Sequence, residues 1–320
     1  MTAGSPKDFL PVFGNEICII TPTFKRNEQL NRLLKTLTEQ TLTVGSIIIA
    51  DGIGDAKDIV EDYQDKLPVK WLNCPVKGQI PQRNYALKEL PLNCKIVIYF
   101  DDDIQLECDA IKEMVSFWNK QMIVPGGVCF NIINLPRERP NNIFRRLFFI
   151  ATKPHGKVLK SGYNTPFGYH KSNTVFEWLP GGTTAWRRDV LDTYSISDIS
   201  SKWAICEDLI FSYPVGKNEH LFLCNEAKVK DIDDVINLGF FKCVERGKSI
   251  VLWRLYFVTL NTDLSIILFY WMNIGLILGY GARSIKGNRD QLGYLVGTLL
   301  GVLYSLSATL LGKNIRNFLK

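Results

Sequence analysis

The chain has 320 residues, enough for one large domain with an appendage or for two small domains. Lysine and arginine total 38 against 32 aspartate and glutamate; a net charge of +6 is too modest to argue for nucleic acid, and an anionic membrane surface or a phosphorylated ligand is compatible with it. Eight cysteines are scattered with no CxxC pair and no ligand-like cluster with the three histidines, which points to reduced thiols of a cytosolic compartment.

Residues 1–15 read as an N-terminal extension, and Met1 to Phe13 lacks the basic start and apolar core of a signal peptide. The reading therefore keeps the chain inside the cell. Ile17-Cys18-Ile19-Ile20 is a short apolar strand ending at Thr21-Pro22-Thr23, after which Leu30, Leu33, Leu34 and Leu37 recur at helical spacing. A second strand, Ser46 to Ala50, stops at Asp51-Gly52, and Ile59 to Tyr63 reads as helix. Val69 to Leu72 is a weaker third strand, Gln82 to Leu90 a helix, and Lys95 to Phe100 a fourth strand. Strands alternating with helices predict an α/β fold with a mostly parallel sheet.

The fourth strand runs directly into Asp101-Asp102-Asp103. Open α/β sheets bind ligands at the carboxyl ends of their strands, and adjacent carboxylates repel unless a cation or a basic partner compensates them. A divalent metal carrying a phosphorylated substrate is the leading reading, and a solvated acidic turn is the other. The neighbouring strand ends fit the first. Pro22 to Phe24 offer backbone and an aromatic face to a base, Asp51 a carboxylate to ring N–H groups or hydroxyls, and Arg83 a cation to a diphosphate. Taken singly, Asp51-Gly52 also reads as a turn, Arg83 as a surface charge and Phe24 as core.

Four segments, Thr21-Pro22-Thr23-Phe24-Lys25-Arg26, Ile49-Ala50-Asp51-Gly52, Gln82-Arg83-Asn84-Tyr85-Ala86-Leu87 and Phe100-Asp101-Asp102-Asp103, are followed by Pro180-Gly181-Gly182-Thr183-Thr184-Ala185-Trp186-Arg187-Arg188 and Cys206-Glu207-Asp208-Leu209. In order and spacing this set, spanning Ile17 to Ala227, resembles the family 2 glycosyltransferases of GT-A fold. The resemblance implies an enzyme of hexosyl-transferring type with a catalytic domain over 16–245, divided into a nucleotide-sugar half at 16–110 and an acceptor half at 111–245. It implies Mg²⁺ or Mn²⁺ as cofactor, with Asp103 the direct ligand and Asp101 nearer the ribose or the metal's waters. Pro22, Thr23, Phe24, Arg26, Asp51, Arg83 and Asp102, the last at the motif's variable position, are the implied contacts of a nucleotide diphosphate sugar donor. Gly181, Gly182, Glu207 and Arg187 are the implied acceptor side, with Glu207 orienting the acceptor or pairing with Arg187 or Arg188. Asp208 is the implied general base, accepting the proton of an acceptor hydroxyl, which predicts inversion at the anomeric carbon. A cap on a helix starting near Leu209 is the other reading of Glu207-Asp208. Two positions depart from the family pattern: Ala50 stands where relatives often have a second acid, and Ala227 to Asp234 contains no histidine. Asp231 or Asp233 is a substitute near the metal, or the segment is an acidic surface loop.

Residues 246–320 change character. Leu264 to Ala282, about 19 residues, and Gln291 to Gly312, about 22, carry no charged side chain and approach the length of a bilayer-crossing helix. A C-terminal hydrophobic helical hairpin attached to the membrane is expected, with a buried soluble hairpin as the alternative. Gly275, Gly279, Gly281 and then Gly293, Gly297, Gly301 recur at near-four-residue spacing, which predicts close approach of the two helices. If both span, the basic connector Arg283 to Asp290 lies across the membrane from the catalytic domain, against the positive-inside tendency; a re-entrant or in-plane hairpin avoids the conflict. Arg246, Lys248, Arg254, Lys313, Arg316 and Lys320 flank the segments as expected near anionic headgroups. Asn142 to Ile150 reads as a third interfacial contact or as the edge of a core helix. The expected partners are therefore a nucleotide sugar, a lipid-linked or glycan acceptor and a membrane surface, with polyprenyl-diphosphate glycan in surface polysaccharide assembly as the acceptor class. Transfer to polyprenyl phosphate and a catalytically silent scaffold are the other functional readings.

Overall fold

The computed structural model describes Phe9 and residues 11–135, 141–168, 170–194, 205–232, 238–285 and 287–319. Asp233, Lys286 and Lys320 lie outside the described residues. Among the described residues, nine strands form one sheet: β1 (Ile17–Thr23), β2 (Ser46–Asp51), β3 (Val69–Asn73), β4 (Ile96–Phe100), β5 (Ile104–Leu106), β6 (Gly127–Ile132), β7 (Thr174–Phe176), β8 (Thr183–Arg187) and β9 (Leu221–Asp231). The helices are α1 (Asn27–Thr38), α2 (Lys57–Glu61), α3 (Gln79–Ala86), α4 (Ala110–Lys120), α5 (Ile143–Leu147), α6 (Arg188–Thr193), α7 (Glu207–Asn218), α8 (Phe240–Leu260), α9 (Ile266–Ser284) and α10 (Arg289–Leu310).

The strand order is β3-β2-β1-β4-β8-β6-β9-β5, with β7 pairing β9. The first four strands are parallel throughout, as expected of uninterrupted apolar runs buried on both faces. β8 then enters antiparallel between β4 and β6, making the sheet mixed. Two boundaries differ from the sequence reading. β1 continues through Thr21-Pro22-Thr23, because its pairing with β4 ends at Ile20 and Tyr99, so the missing N–H of Pro22 interrupts no ladder on that side. α3 begins at Gln79 rather than Gln82, with Pro81 tolerated in its first turn, and gives way to a 3-10 turn at Leu87–Glu89.

The chain forms two compact units that do not follow it linearly: Met1–Pro136, Gly168–Asp198 and Phe211–Asp233 in the first, and Arg137–Phe167, Ile199–Ile210 and Asp234–Lys320 in the second. The core of the first sets Leu30, Leu33, Leu34 and Leu37 of α1 and Trp118 of α4 against Ile17, Ile19, Ile47, Ile49, Ile98 and Phe130 of the sheet. Each such buried side chain contributes roughly 1.5–3 kcal/mol. The second gathers Phe148, Ile150, Trp253, Leu255, Phe269 and Met272 into a separate apolar cluster.

α9 and α10 are long and apolar enough to cross a membrane, and only 22% and 33% of their most apolar windows are buried. The glycine spacing finds a partner other than the expected one. A Cβ on Gly293 would press on Cys243 and Phe240, one on Gly297 on Val244 and Lys248, and one on Gly301 on Lys248 and Val251, so α10 lies in step and parallel with α8. Gly275 instead makes room for Phe148, and a Cβ on Gly281 would meet nothing. α10 still meets α9, through stacked Tyr280 and Tyr294 rings and a Tyr270 to Thr309 hydroxyl contact.

Candidate active site

The parallel half of the sheet brings the carboxyl ends of β1, β2 and β4 side by side. Asp101 N donates to Gly182 O at 3.0 Å, which ties the aspartate triplet to the start of β8. Glycine is required at that point, since a Cβ at 182 would run into the Asp101 carboxylate. Gly181 adjoins it in the turn leading into β8.

Asp101 Oδ1 accepts from Gln79 Nε2 at 2.6 Å and Arg83 Nη2 at 2.7 Å. Gln79 and Arg83 are four apart on α3 and therefore share a face. Arg83 is buried, lies 5.0 Å from the Tyr99 ring centroid, and its Nε has no hydrogen-bond partner. Asp102 turns inward. It is 3% exposed, accepts from Thr23 Oγ1 at 2.8 Å and pairs with Arg26 at 3.1 Å. Burial pushes its carboxyl up to about 7 although Arg26 and Thr23 pull it down. Asp103 pairs with the other Arg26 nitrogen at 2.8 Å and is pushed up to about 6, by burial first and then by the charges of Asp101 and Asp231, against the pull of Arg26. Asp231 comes close because Ile104 faces it across the β5–β9 ladder.

Asp51 is placed differently from a residue open to a base. Its side chain is fully buried, and its oxygens accept from Ile53 N at 3.0 Å, Ala56 N at 2.9 Å and Trp71 Nε1 at 3.1 Å. Burial raises its pKa, yet those hydrogen bonds outweigh burial and hold it below the ordinary value. Gln82 ties the β1 and β2 ends together, donating to Thr23 O at 2.8 Å and Ala50 O at 2.6 Å and accepting from Gly78 N at 3.1 Å. Phe24, next after Pro22 and Thr23, is 39% exposed and flanked by the ammonium groups of Lys25 and Lys77, 5.8 and 5.5 Å from its ring centroid.

The sequence reading passed over Gln79 and Lys77; the i, i+4 spacing of Gln79 from Arg83 was the available signal, whereas Lys77 reaches Phe24 only through the fold. Arg187 corrects an expectation. It stands at the far end of β8, opposite Ile96, whereas Thr183 lies opposite Phe100 beside the triplet. At about 3.4 Å per residue that is roughly 14 Å along the strand. Its guanidinium is taken up by Asp189 at 2.6 Å and Glu219 at 2.9 Å, and Arg188 pairs with Asp192 at 3.0 Å.

Glu207 and Asp208 belong to the second unit and open α7. Glu207 is buried, and Asp208 Oδ1 accepts from Leu209 N at 2.8 Å. Cys206 before them holds φ at 68°, a left-handed conformation that a side chain rarely adopts and that fixes the entry into the helix. Burial pushes its thiol up to about 11, Arg254 lowers it, and Asp208 and Glu207 raise it.

Among the described residues, no group of three or more His, Cys, Asp or Glu side chains makes a ready cage for a metal ion. A Mg²⁺-type cation does not need one, since one or two carboxylates suffice when phosphates and water complete the shell. Asp101 and Asp103 fit that role. Beyond burial, the charges of Asp101 and Asp231 help to raise Asp103, a local excess of negative charge that a cation would relieve.

The chain belongs to glycosyl transferase family 2, whose family model matches residues 18–194, and it is a glycosyltransferase. No curated protein matches it by sequence. Among solved structures it is similar to the mannosyltransferase PcManGT from Pyrobaculum calidifontis in complex with GDP-Man and Mn²⁺, at 11% identity and a TM-score of 0.55 over 93% of this chain and 88% of that one. It is also similar to S. aureus TarS 1-349, at 16% identity and a TM-score of 0.53 over 91% and 92%. The same TarS segment in complex with UDP-GlcNAc matches at 14% identity and a TM-score of 0.51, over 93% and 92%. A longer TarS structure is covered over 42% of its length. At these identities the likeness establishes the GT-A fold.

Proposed function

We propose that this chain is a metal-dependent, inverting glycosyltransferase that moves a sugar from a nucleotide diphosphate sugar to a hydroxyl of a lipid-linked glycan at the cytoplasmic face of a membrane. The observation that carries the reading is the convergence of Asp101 and Asp103 with Arg26, Arg83 and Gln79 at the strand ends. Asp103 and Asp101 would hold Mg²⁺ or Mn²⁺, which would supply positive charge against the phosphates of the donor. That PcManGT was solved with GDP-Man and Mn²⁺, and TarS with UDP-GlcNAc, supports a donor of this class.

Arg83 holds Asp101 in place, and the exposed Phe24 ring gives a base a face to stack on. Asp208 takes the proton of the acceptor hydroxyl. The hydroxyl oxygen bonds the anomeric carbon as the bond from that carbon to the diphosphate oxygen breaks, and the electron pair leaves with the nucleoside diphosphate. Attack opposite the leaving group inverts the configuration. Asp208→Asn is expected to lower turnover about a hundredfold or more while leaving donor binding intact. Near-normal turnover in that variant removes Asp208 from the role.

The apolar C-terminal helices support attachment to a membrane. α8 carries exposed Glu245 and Arg246 at the level where it packs on Gly297 of α10. Charges at that level do not belong in hydrocarbon, which favours a hairpin lying in the interface over one that crosses the bilayer. Full-length enzyme using a soluble oligosaccharide as efficiently as the lipid-linked one in nanodiscs contradicts the acceptor reading.

A further inference from the structure

The second unit contains a cavity of about 330 Å³ walled by Asn142, Phe144, Arg145 and Ile150 on one side and Gly275, Leu276, Gly279 and Arg283 of α9 on the other. Its polar content is cationic. Arg145 and Arg283 both line it, and among the described residues no acidic side chain is among its walls. Arg145 is only 9% exposed; one terminal nitrogen donates to Tyr163 Oη at 3.1 Å, while its buried Nε has no hydrogen-bond partner. A guanidinium at the wall of an apolar cavity favours an anionic oxygen there, because a charge-assisted hydrogen bond offsets the burial of its charge. Arg283 keeps its Nε on Gln291 Oε1 at 2.6 Å, which steadies the head group beside the cavity.

The surroundings of the cavity are apolar and exposed. Ile143 and Leu147 of α5 and Trp271, Ile274 and Leu278 of α9 are exposed at 84, 57, 39, 45 and 51%. Trp271 Nε1 donates to Leu147 O at 2.9 Å, and Gly275 admits the Phe148 ring, so the two elements form one continuous surface. A cationic cavity beside an exposed apolar surface suits a ligand with an anionic head and a hydrocarbon tail. A free phosphate matches only the first part.

We infer that this cavity is a binding site for the phosphate head group of a membrane lipid, with Arg145 and Arg283 holding the phosphate and the lipid chain lying along α5 and α9. The inference deepens the lipid-linked reading of the acceptor and rests on it.

The test uses full-length protein in detergent with EDTA present, so that diphosphate-type binding at the aspartate triplet is suppressed. Binding of geranyl phosphate, inorganic phosphate and geraniol is measured by calorimetry on the native chain and on Arg145→Gln, Arg283→Gln and Gly279→Leu. The last variant fills the cavity without removing charge, since a Cβ at 279 meets only the Arg283 guanidinium, at 3.5 Å. Geranyl phosphate is expected to bind the native chain at least tenfold more tightly than either control ligand, and each variant is expected to lose about tenfold or more of that affinity. Unchanged affinity in Arg283→Gln and Gly279→Leu overturns the site, even if Arg145→Gln fails to fold. Equal affinity for inorganic phosphate and geranyl phosphate overturns the lipid source. Undiminished transfer to lipid-linked acceptor by Arg283→Gln with unchanged binding defeats this inference alone, whereas equal use of soluble acceptor defeats the acceptor reading and leaves the binding result standing.

Discussion

Residues that look alike in the sequence separate by what surrounds them. Asp101, Asp102 and Asp103 are one acidic run, yet Asp102 is locked inward on Thr23 and Arg26 while Asp101 and Asp103 line the strand end. Asp102 and Asp103 sit in a tight turn that Ile104 N closes on Asp101 O at 3.3 Å, and this turn splits the side chains; the sequence pattern already favoured the outer two. Asp51 was legible as a strand-end carboxylate, but its engagement by Ile53, Ala56 and Trp71 was not, because Trp71 arrives from a neighbouring strand. Asp51→Asn is expected to cost about 1–3 kcal/mol by chemical denaturation, since an amide cannot accept all of these bonds and brings unmatched donors. The folded pKa of Asp51 is depressed, so its stabilisation is present above the ordinary carboxylate value of about 4 and is lost as pH falls through the folded value. Melting curves of native and variant should therefore differ at neutral pH, begin to approach one another below about pH 4, and draw together as pH falls through the folded value. Unchanged stability with a raised donor KM would instead make Asp51 a direct contact of the base.

At the scale of elements, the strands were legible because β1, β2 and β4 are apolar runs that end where polar residues begin. The helix α8 was not read, since its charges at Lys242, Glu245, Arg246, Lys248 and Arg254 obscure a packing face of Cys243, Gly247, Val251 and Leu255. That omission is why the glycine spacing of α10 was given the wrong partner: spacing reports that a close approach exists and says nothing of what approaches. Gly297→Leu is the discriminating change. A side chain there would collide with the Val244 carbonyl and Lys248 backbone on α8, and a loss of about 1–3 kcal/mol in stability is expected from the overpacking. Gly281→Leu, at a site with nothing nearby, should be close to neutral. Equal effects of the two substitutions in thermal unfolding would contradict the α8–α10 packing.

At the scale of the whole molecule, the mixed sheet and its strand-end site follow from an order of motifs that a linear reading captures well. The division of the chain into compact units does not, because 141–167 and 205–210 join the C-terminal helices across long sequence separations. The account's central claim is that the triplet binds the diphosphate of a nucleotide sugar through a divalent cation. Thermal unfolding with a panel of uridine, thymidine and guanosine diphosphate sugars, with and without Mn²⁺ or Mg²⁺, on the native chain and Asp103→Ala, tests it directly. Protection by one nucleotide class of the native chain, present only with the cation and lost in Asp103→Ala, is the predicted result; protection that is independent of the cation, or that survives in Asp103→Ala, would contradict it.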